Sequence, residues 1–333
     1  MARRRILAIG RPRYAFAELA QLEDKYDIDF VMPTNRAETK AAIAAVCAAR
    51  PYPYSACFWL FGWTHYAPFD KELLAPVLPC PMFAGGGAGY DKVDTHWMAE
   101  EGAWYANTPG TPTTGTADLH VFLILAALRG TSQAEMTVRR GQWRDGLPLF
   151  DDPQGKVLGI VGMGDIGKDV ARKAAVFGMR IIYHNRRPIA LEDEKELGAE
   201  YCATLDELLA KCDVLSLNCP LTESTYHLIS SREFALMKNG SYLVNTARGP
   251  IVDEAALKDA LTSGKICRAG LDVFENEPNV DPFFLACERV TVQPHYGGFS
   301  VGTIRAGEKL VLGNVAAYLA TGMPLTAVNK PRK

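Results

Sequence analysis

The sequence predicts an α/β protein built from doubly wound parallel sheets. Three observations carry that expectation. Short apolar strands alternate with helical stretches along most of the 333 residues. From Lys156 onward the alternation yields six strands with helices between them, enough for one complete sheet of this kind. One of those strands, Val157–Val161, runs straight into the glycine-rich turn Gly162-Met163-Gly164-Asp165-Ile166-Gly167, which opens a helix.

In the first third, strands are expected at 5–10, 56–61, 81–84 and 102–106. An alanine-rich stretch at 36–49 has helical spacing, and a turn-rich segment at 107–115 precedes a strongly apolar helix at 117–128. Further strands are expected at 157–161, 180–184, 214–218, 241–245, 268–273 and 290–293. Helices are expected at 166–177, 204–211, 231–236 and 253–263. The stretch 302–321 reads as one long helix returning to the first domain. That makes the first domain discontinuous, 1–116 plus 299–333, around a second at 117–298.

Composition narrows the functional classes. Hydrophobic residues make up 48% and charged residues 22%, as in a folded globular protein with a core in each domain. A net charge of -2 supplies no overall attraction to nucleic acid. Eight cysteines contain no C-x-x-C pair, which points to reduced thiols in a cytoplasmic setting and gives no sign of a metal site. The basic start ending at Arg5 is followed by only Ile6 to Ile9 before Gly10, too short for a signal core. The longest apolar run, 121–128, falls far short of a membrane span.

The glycine-rich turn has a specific physical logic. Gly162 permits the tight turn, Gly164 lets backbone approach a diphosphate, and Gly167 lets helix and strand pack closely. The helix opening at Asp165 and Ile166 offers unpaired N–H groups and a positive dipole end. A dinucleotide site is therefore expected here. The next strand runs out as His184-Asn185-Arg186-Arg187, where an NAD site carries an acid for the ribose 2′-hydroxyl. Guanidinium groups bind a 2′-phosphate instead, so Asn185, Arg186 and Arg187 predict NADPH in preference to NAD.

Three polar segments directly follow late strands: 245–250, 272–278 and 293–298. Ligands of open α/β sheets bind beyond the carboxyl ends of strands, so all three can converge. Reduction of a 2-oxo acid needs a fixed cation for the carboxylate, and Arg248 offers a bidentate fork. It needs an acid for the carbonyl oxygen, for which His295 is suited near neutral pH. It needs a group that orients the imidazole, and Glu277 can do so. Taken singly, each of these residues also has an ordinary structural explanation.

With these residues in view, the chain resembles the D-isomer-specific 2-hydroxyacid dehydrogenase family, and among its branches the glyoxylate/hydroxypyruvate and 2-keto acid reductases. The matching stretches include Ala88-Gly89-Tyr90-Asp91-Lys92-Val93-Asp94, Asn107-Thr108-Pro109-Gly110, Thr116-Ala117-Asp118, Asn218-Cys219-Pro220-Leu221-Thr222, residues 162–167, 245–253 and 270–278, and residues 294–298. The resemblance implies a flavodoxin-like substrate domain and a Rossmann cofactor domain with a cleft between them, in a homodimer. It implies that Arg248, Glu277 and His295 hold the family's catalytic positions. It places cofactor contacts at Thr113, Cys219, Pro220, Thr246, Ala247, Asp272 and Gly298, besides the glycine-rich turn. It assigns the substrate carboxylate to backbone at Gly85, Gly86 and Gly87. It puts Trp143 on a dimerisation arm, from which it reaches the partner's pocket or packs in the interface.

The chain departs from the family pattern after the second strand of the cofactor domain, where the acid is missing, and at Tyr296, where a small or aliphatic residue is usual. Glu277 argues against a formate dehydrogenase, which carries a Gln there. Trp59, Phe61, Trp63 and Tyr66, with Tyr296 and Phe299, are candidates to wall a roomy pocket. The expected activity is NADPH-dependent reduction of a 2-oxo acid to the D-2-hydroxy acid. Substrate candidates are glyoxylate, hydroxypyruvate, and larger aromatic or sugar-derived 2-keto acids. The alternatives are NAD-linked oxidation of a D-2-hydroxy acid and a dinucleotide-sensing, corepressor-like binding protein.

Overall fold

The computed structural model of the chain describes residues 3–32, 34–49, 53–61 and 65–332. Trp63, one of the candidate pocket residues, lies outside them. The elements run β1 (Arg5–Ile9), α1 (Phe16–Glu23), β2 (Asp27–Val31), α2 (Arg36–Ala49), β3 (Tyr54–Trp59), α3 (Lys71–Leu74), β4 (Met82–Gly85), α4 (Thr95–Glu100) and β5 (Trp104–Ala106). They continue with α5 (Thr113–Arg129), α6 (Thr131–Arg139), β6 (Val157–Val161), α7 (Asp165–Val176), β7 (Arg180–His184), α8 (Leu191–Leu197), β8 (Ala199–Tyr201), α9 (Leu205–Lys211) and β9 (Val214–Leu217). The last are α10 (Ser231–Leu236), β10 (Ser241–Asn245), α11 (Glu254–Thr262), β11 (Ile266–Leu271), α12 (Pro282–Ala286), β12 (Val290–Val292) and α13 (Val301–Thr321).

The chain divides into two compact units. The first is Met1–Pro112 with Gly298–Lys333, and the second is Thr113–Gly297. All of α5 therefore belongs to the second unit and all of α13 to the first.

The first unit holds a five-stranded parallel sheet in the order β2-β1-β3-β4-β5. Each side of this sheet is covered, which is why β1 reads as an unbroken apolar run. Ile6 and Ala8 join one core with Phe58 and Ala84, while Leu7 and Ile9 join another with Cys57 and Phe83. Helix α13 lays Val311, Leu312, Val315 and Leu319 on the first of these cores. The Ser300 hydroxyl caps its start by accepting from Thr303 N–H, and Gly322 ends it in the left-handed region.

The second unit holds a seven-stranded parallel sheet in the order β12-β11-β10-β9-β6-β7-β8. Numbered from β6, this is the 3-2-1-4-5-6 order of a dinucleotide-binding sheet with one added edge strand. Strand order reverses between β6 and β9, and this switch point fixes where a ligand can enter. The sheet has one strand more than the six the sequence displays. The extra strand, β8, is three residues long and lies at the sheet edge, so it carries no apolar run. The sequence hides β2 for a similar reason, since Asp27 and Asp29 alternate with Ile28 and Phe30 at an edge. Among the described residues, no helix is long and apolar enough to cross a membrane.

Candidate active site

The second unit concentrates its polar chemistry at the carboxyl ends of its strands. Strand β6 ends at Val161, and Gly162 turns the chain at φ +100°. A Cβ on Gly162 would lie 2.5 Å from Cys219 N, and one on Gly167 would lie 2.3 Å from Gly162 O. These two glycines are demanded by packing. Gly164 differs. It caps α7 with no side-chain hydrogen bond, and no heavy atom comes within 4 Å of where its Cβ would sit. The open face of a helix N-terminus fits a diphosphate held by backbone N–H groups.

At the end of β7, the Asn185 side chain accepts a hydrogen bond from Met163 N–H at 2.7 Å, tying the strand end to the glycine-rich turn. Its backbone carbonyl accepts from the Tyr201 hydroxyl. Arg186 and Arg187 are exposed, and no hydrogen bond or ion pair engages them among the described residues. Two guanidinium groups thus stand where an NAD site carries an acid.

After β10, the Asn245 side chain organises a tight loop. Its Oδ1 accepts from Ala247 N–H, and its Nδ2 donates to Arg248 O. Arg248 is half-buried, with Nη1 donating to Ala247 O at 2.7 Å. Gly249 follows because a Cβ there would overlap the carbonyl of Phe274. The loop carrying Arg248 and the loop carrying Glu277 therefore touch backbone to backbone. His227 reinforces the junction: its Nε2 lies 2.8 Å from Glu275 Oε1, and that oxygen also accepts from Glu254 N–H.

Asp272 is 1% exposed and clamps the next loop. Its two carboxylate oxygens accept from Tyr296 N–H and Gly297 N–H, each at 2.9 Å. Burial pushes its carboxyl above the ordinary value against these hydrogen bonds. His295 sits in this loop at φ +52°, a left-handed conformation that only strong surrounding contacts maintain. Its Nδ1 pairs with Glu277 Oε2 at 2.7 Å. The other Glu277 oxygen accepts from Phe274 N–H. Burial raises the Glu277 carboxyl, but the bond and charge of His295, the Phe274 amide and the charge of Arg248 outweigh it. The net result is a pKa below the usual carboxylate range. The sheet end thus assembles Arg248, Glu277 and His295 around one ionised carboxylate.

The remaining expected cofactor positions fall on the same unit, with one exception. Cys219 and Pro220 follow β9 against Gly162, Thr246 and Ala247 follow β10, and Thr113 begins α5. Burial raises the Cys219 thiol to about 11, so it is a neutral packing group. Gly298 falls in the first unit.

The first unit corrects two expectations. The backbone N–H groups of Gly86 and Gly87 are already spent, on Trp59 O and Thr108 Oγ1. The amides of the next two residues, Ala88 and Gly89, have no protein acceptor among the described residues. Trp59 does not line a roomy pocket either. It is 1% exposed and stacks on Phe69 at 4.0 Å, with its ring directly beneath Gly85. Tyr66 is likewise buried, edge-on to Phe69. Phe61 is half-buried against Gly86 and Gly307, while Tyr296 and Phe299 are exposed.

A dinucleotide turn and a paired imidazole and carboxylate at one sheet end equip an oxidoreductase that works on a carbonyl or hydroxyl group. The profile described as D-isomer specific 2-hydroxyacid dehydrogenase, NAD binding domain, matches residues 121–297. A protein of Schizosaccharomyces pombe (strain 972) with a provisional 2-hydroxyacid dehydrogenase name is 46% identical over 329 residues, covering 98% of this chain and 96% of its own. The crystal structure of a glyoxylate reductase from Paecilomyes thermophila is similar at a TM-score of 0.90 and 39% identity, covering 98% of this chain and 99% of that one. An NADPH-dependent glyoxylate/hydroxypyruvate reductase from Sinorhizobium meliloti, solved with NADP and malonate, is similar at a TM-score of 0.83 and 32% identity, covering 100% of this chain and 99% of that one. The chain belongs to the D-2-hydroxyacid dehydrogenase family. It is an NAD(P)-dependent oxidoreductase acting on 2-hydroxy acids.

Proposed function

We propose that the protein reduces a 2-oxo acid to the D-2-hydroxy acid at the expense of NADPH. The observation that carries this is the His295–Glu277 bond at 2.7 Å in loops braced against that of Arg248. The substrate carboxylate is gripped by the Arg248 fork. His295, its Nδ1 held by Glu277, presents Nε2 to the carbonyl oxygen and gives it a proton. Glu277, its pKa held below the usual carboxylate range, carries a negative charge across the neutral pH range and fixes the orientation of the imidazole through Nδ1. Tyr296 borders the imidazole and contributes to substrate choice.

The residues that would hold the dinucleotide on this unit are Gly162, Gly164, Asp165, Ile166 and Gly167 at the diphosphate. Thr113, Asn185, Arg186, Arg187, Cys219, Pro220, Thr246, Ala247 and Asp272 are the other contacts. When bound, the reduced nicotinamide supplies the hydride. Arg186 and Arg187, exposed and without a partner among the described residues, support NADPH over NADH. The NADP-bound relative supports the same choice. Homodimerisation is supported by exposed apolar side chains on and after α5 and α6. Phe122, Met136, Val138, Trp143 and Leu149 are all uncovered, Trp143 to 71%.

The test follows nicotinamide absorbance with NADPH or NADH and a panel of glyoxylate, hydroxypyruvate, aromatic and sugar-derived 2-oxo acids. Faster turnover with NADPH and a D-configured product are expected. No turnover with any 2-oxo acid, or an L-configured product, would overturn the activity. Equal rates with NADH would remove the role given to Arg186 and Arg187.

A further inference from the structure

Helix α5 carries a histidine that none of the chemistry above uses. His120 is fully buried, and burial lowers its pKa to about 3, so the ring is neutral at any working pH. A neutral imidazole donates through one nitrogen and accepts through the other. Here each finds a hydroxyl. Nδ1 lies 2.7 Å from Thr246 Oγ1, and Nε2 lies 2.7 Å from Ser216 Oγ. The same serine oxygen accepts from Asn218 Nδ2 at 2.7 Å. The outcome is a continuous polar chain, Thr246–His120–Ser216–Asn218, through an otherwise apolar core.

The two ends of the chain are informative. Thr246 is the first residue after β10, between Asn245, which folds the loop, and Arg248, which the loop presents. Asn218 is the first residue after β9, at the switch point, with its backbone against Gly162. Its Oδ1 is buried without a partner among the described residues. Buried polar groups carry a desolvation cost, so a fully polar chain in a core calls for a positional explanation.

We propose that His120 is a positioning residue with two separable arms, one holding the Arg248 loop through Thr246 and the other holding the dinucleotide edge at Asn218 through Ser216. This rests on the oxo acid reductase activity proposed above. Its dinucleotide arm can be measured without turnover.

Two conservative variants divide the arms. In His120→Asn the side-chain amide keeps the place of Nδ1 and loses that of Nε2. In His120→Gln the amide keeps the place of Nε2 and loses that of Nδ1. The measurements are NADPH Kd by fluorescence titration, and kcat and KM for the best 2-oxo acid, on the full chain. His120→Asn is expected to weaken NADPH binding about tenfold with the oxo acid KM near wild type. His120→Gln is expected to raise the oxo acid KM about tenfold and to weaken NADPH binding, through Thr246, by less than His120→Asn does. Ser216→Ala, a smaller change, should reproduce the first pattern. If the variants lower Tm but leave Kd, kcat and KM within twofold, or shift all of them alike, the histidine is a core filler and the proposal fails. If wild type turns over no 2-oxo acid yet the Kd split appears, the activity is wrong and the dinucleotide arm stands.

Discussion

The two sheets face the same electrostatic problem and solve it in opposite ways. In each, a helix starts just after a strand at the switch point, with N–H groups that need an acceptor. In the first unit that need is met internally. Glu308, on α13 and 2% exposed, accepts from Arg13, Tyr14 and Ala15 N–H at 2.8 to 3.2 Å, directly ahead of α1. In the second unit the corresponding place after β6 is left open at Gly164. The same architecture therefore makes an anion site in each unit. In one, the protein's own carboxylate fills it; in the other, it is available to a diphosphate.

Four outcomes would break or sharpen that contrast. The largest concerns the chemistry on the open sheet. His295→Ala should lower kcat by about 10²- to 10⁴-fold, the usual worth of a general acid, with NADPH Kd unchanged. A mild loss would remove His295 from its role. Next, the double change Arg186→Ser with Arg187→Ser should reduce the NADPH-over-NADH preference by about 10- to 100-fold in kcat/KM, the worth of charge-assisted hydrogen bonds to a phosphate.

On the closed sheet, Glu308→Ala leaves three amides without their acceptor. It should lower unfolding free energy in a denaturant titration by about 1–3 kcal/mol, with NADPH affinity retained. The smallest effect is in acid. Glu277 has a folded pKa below its unfolded value, so its contribution to stability is full above the ordinary carboxylate range. That contribution is lost as pH falls through the lowered value. Glu277→Gln should therefore flatten the acid limb of the stability profile, in thermal melts run downward from pH 6.

The open site was legible in the sequence and the closed one was not. A turn that needs Gly162 and Gly167 for steric reasons announces itself within six residues. The plug does not, because Glu308 meets Arg13 across 295 positions and an isolated glutamate in a helix carries no local signature. Arg248, Glu277 and His295 could be put forward together because each lies in a loop that follows a strand of one parallel sheet. Gly86 and Gly87 misled for the converse reason. Glycine signals that backbone can approach something, and what approaches Gly87 is Thr108, 21 residues further on. Trp59 looked equally suited to a wall or a core, and only its stacking on Phe69 decides between them. His120 was invisible within an apolar helix, since its partners come from β9 and from the loop after β10.

The contrast between an open and a filled anion site is tested most directly by calorimetric titration of NADPH into wild type, Gly164→Ala and Glu308→Gln. The expected result is one site per chain, weakened about tenfold or more by the added methyl at Gly164 and unmoved by the change at Glu308. Affinity that survives at Gly164→Ala but collapses at Glu308→Gln would place the dinucleotide on the wrong sheet.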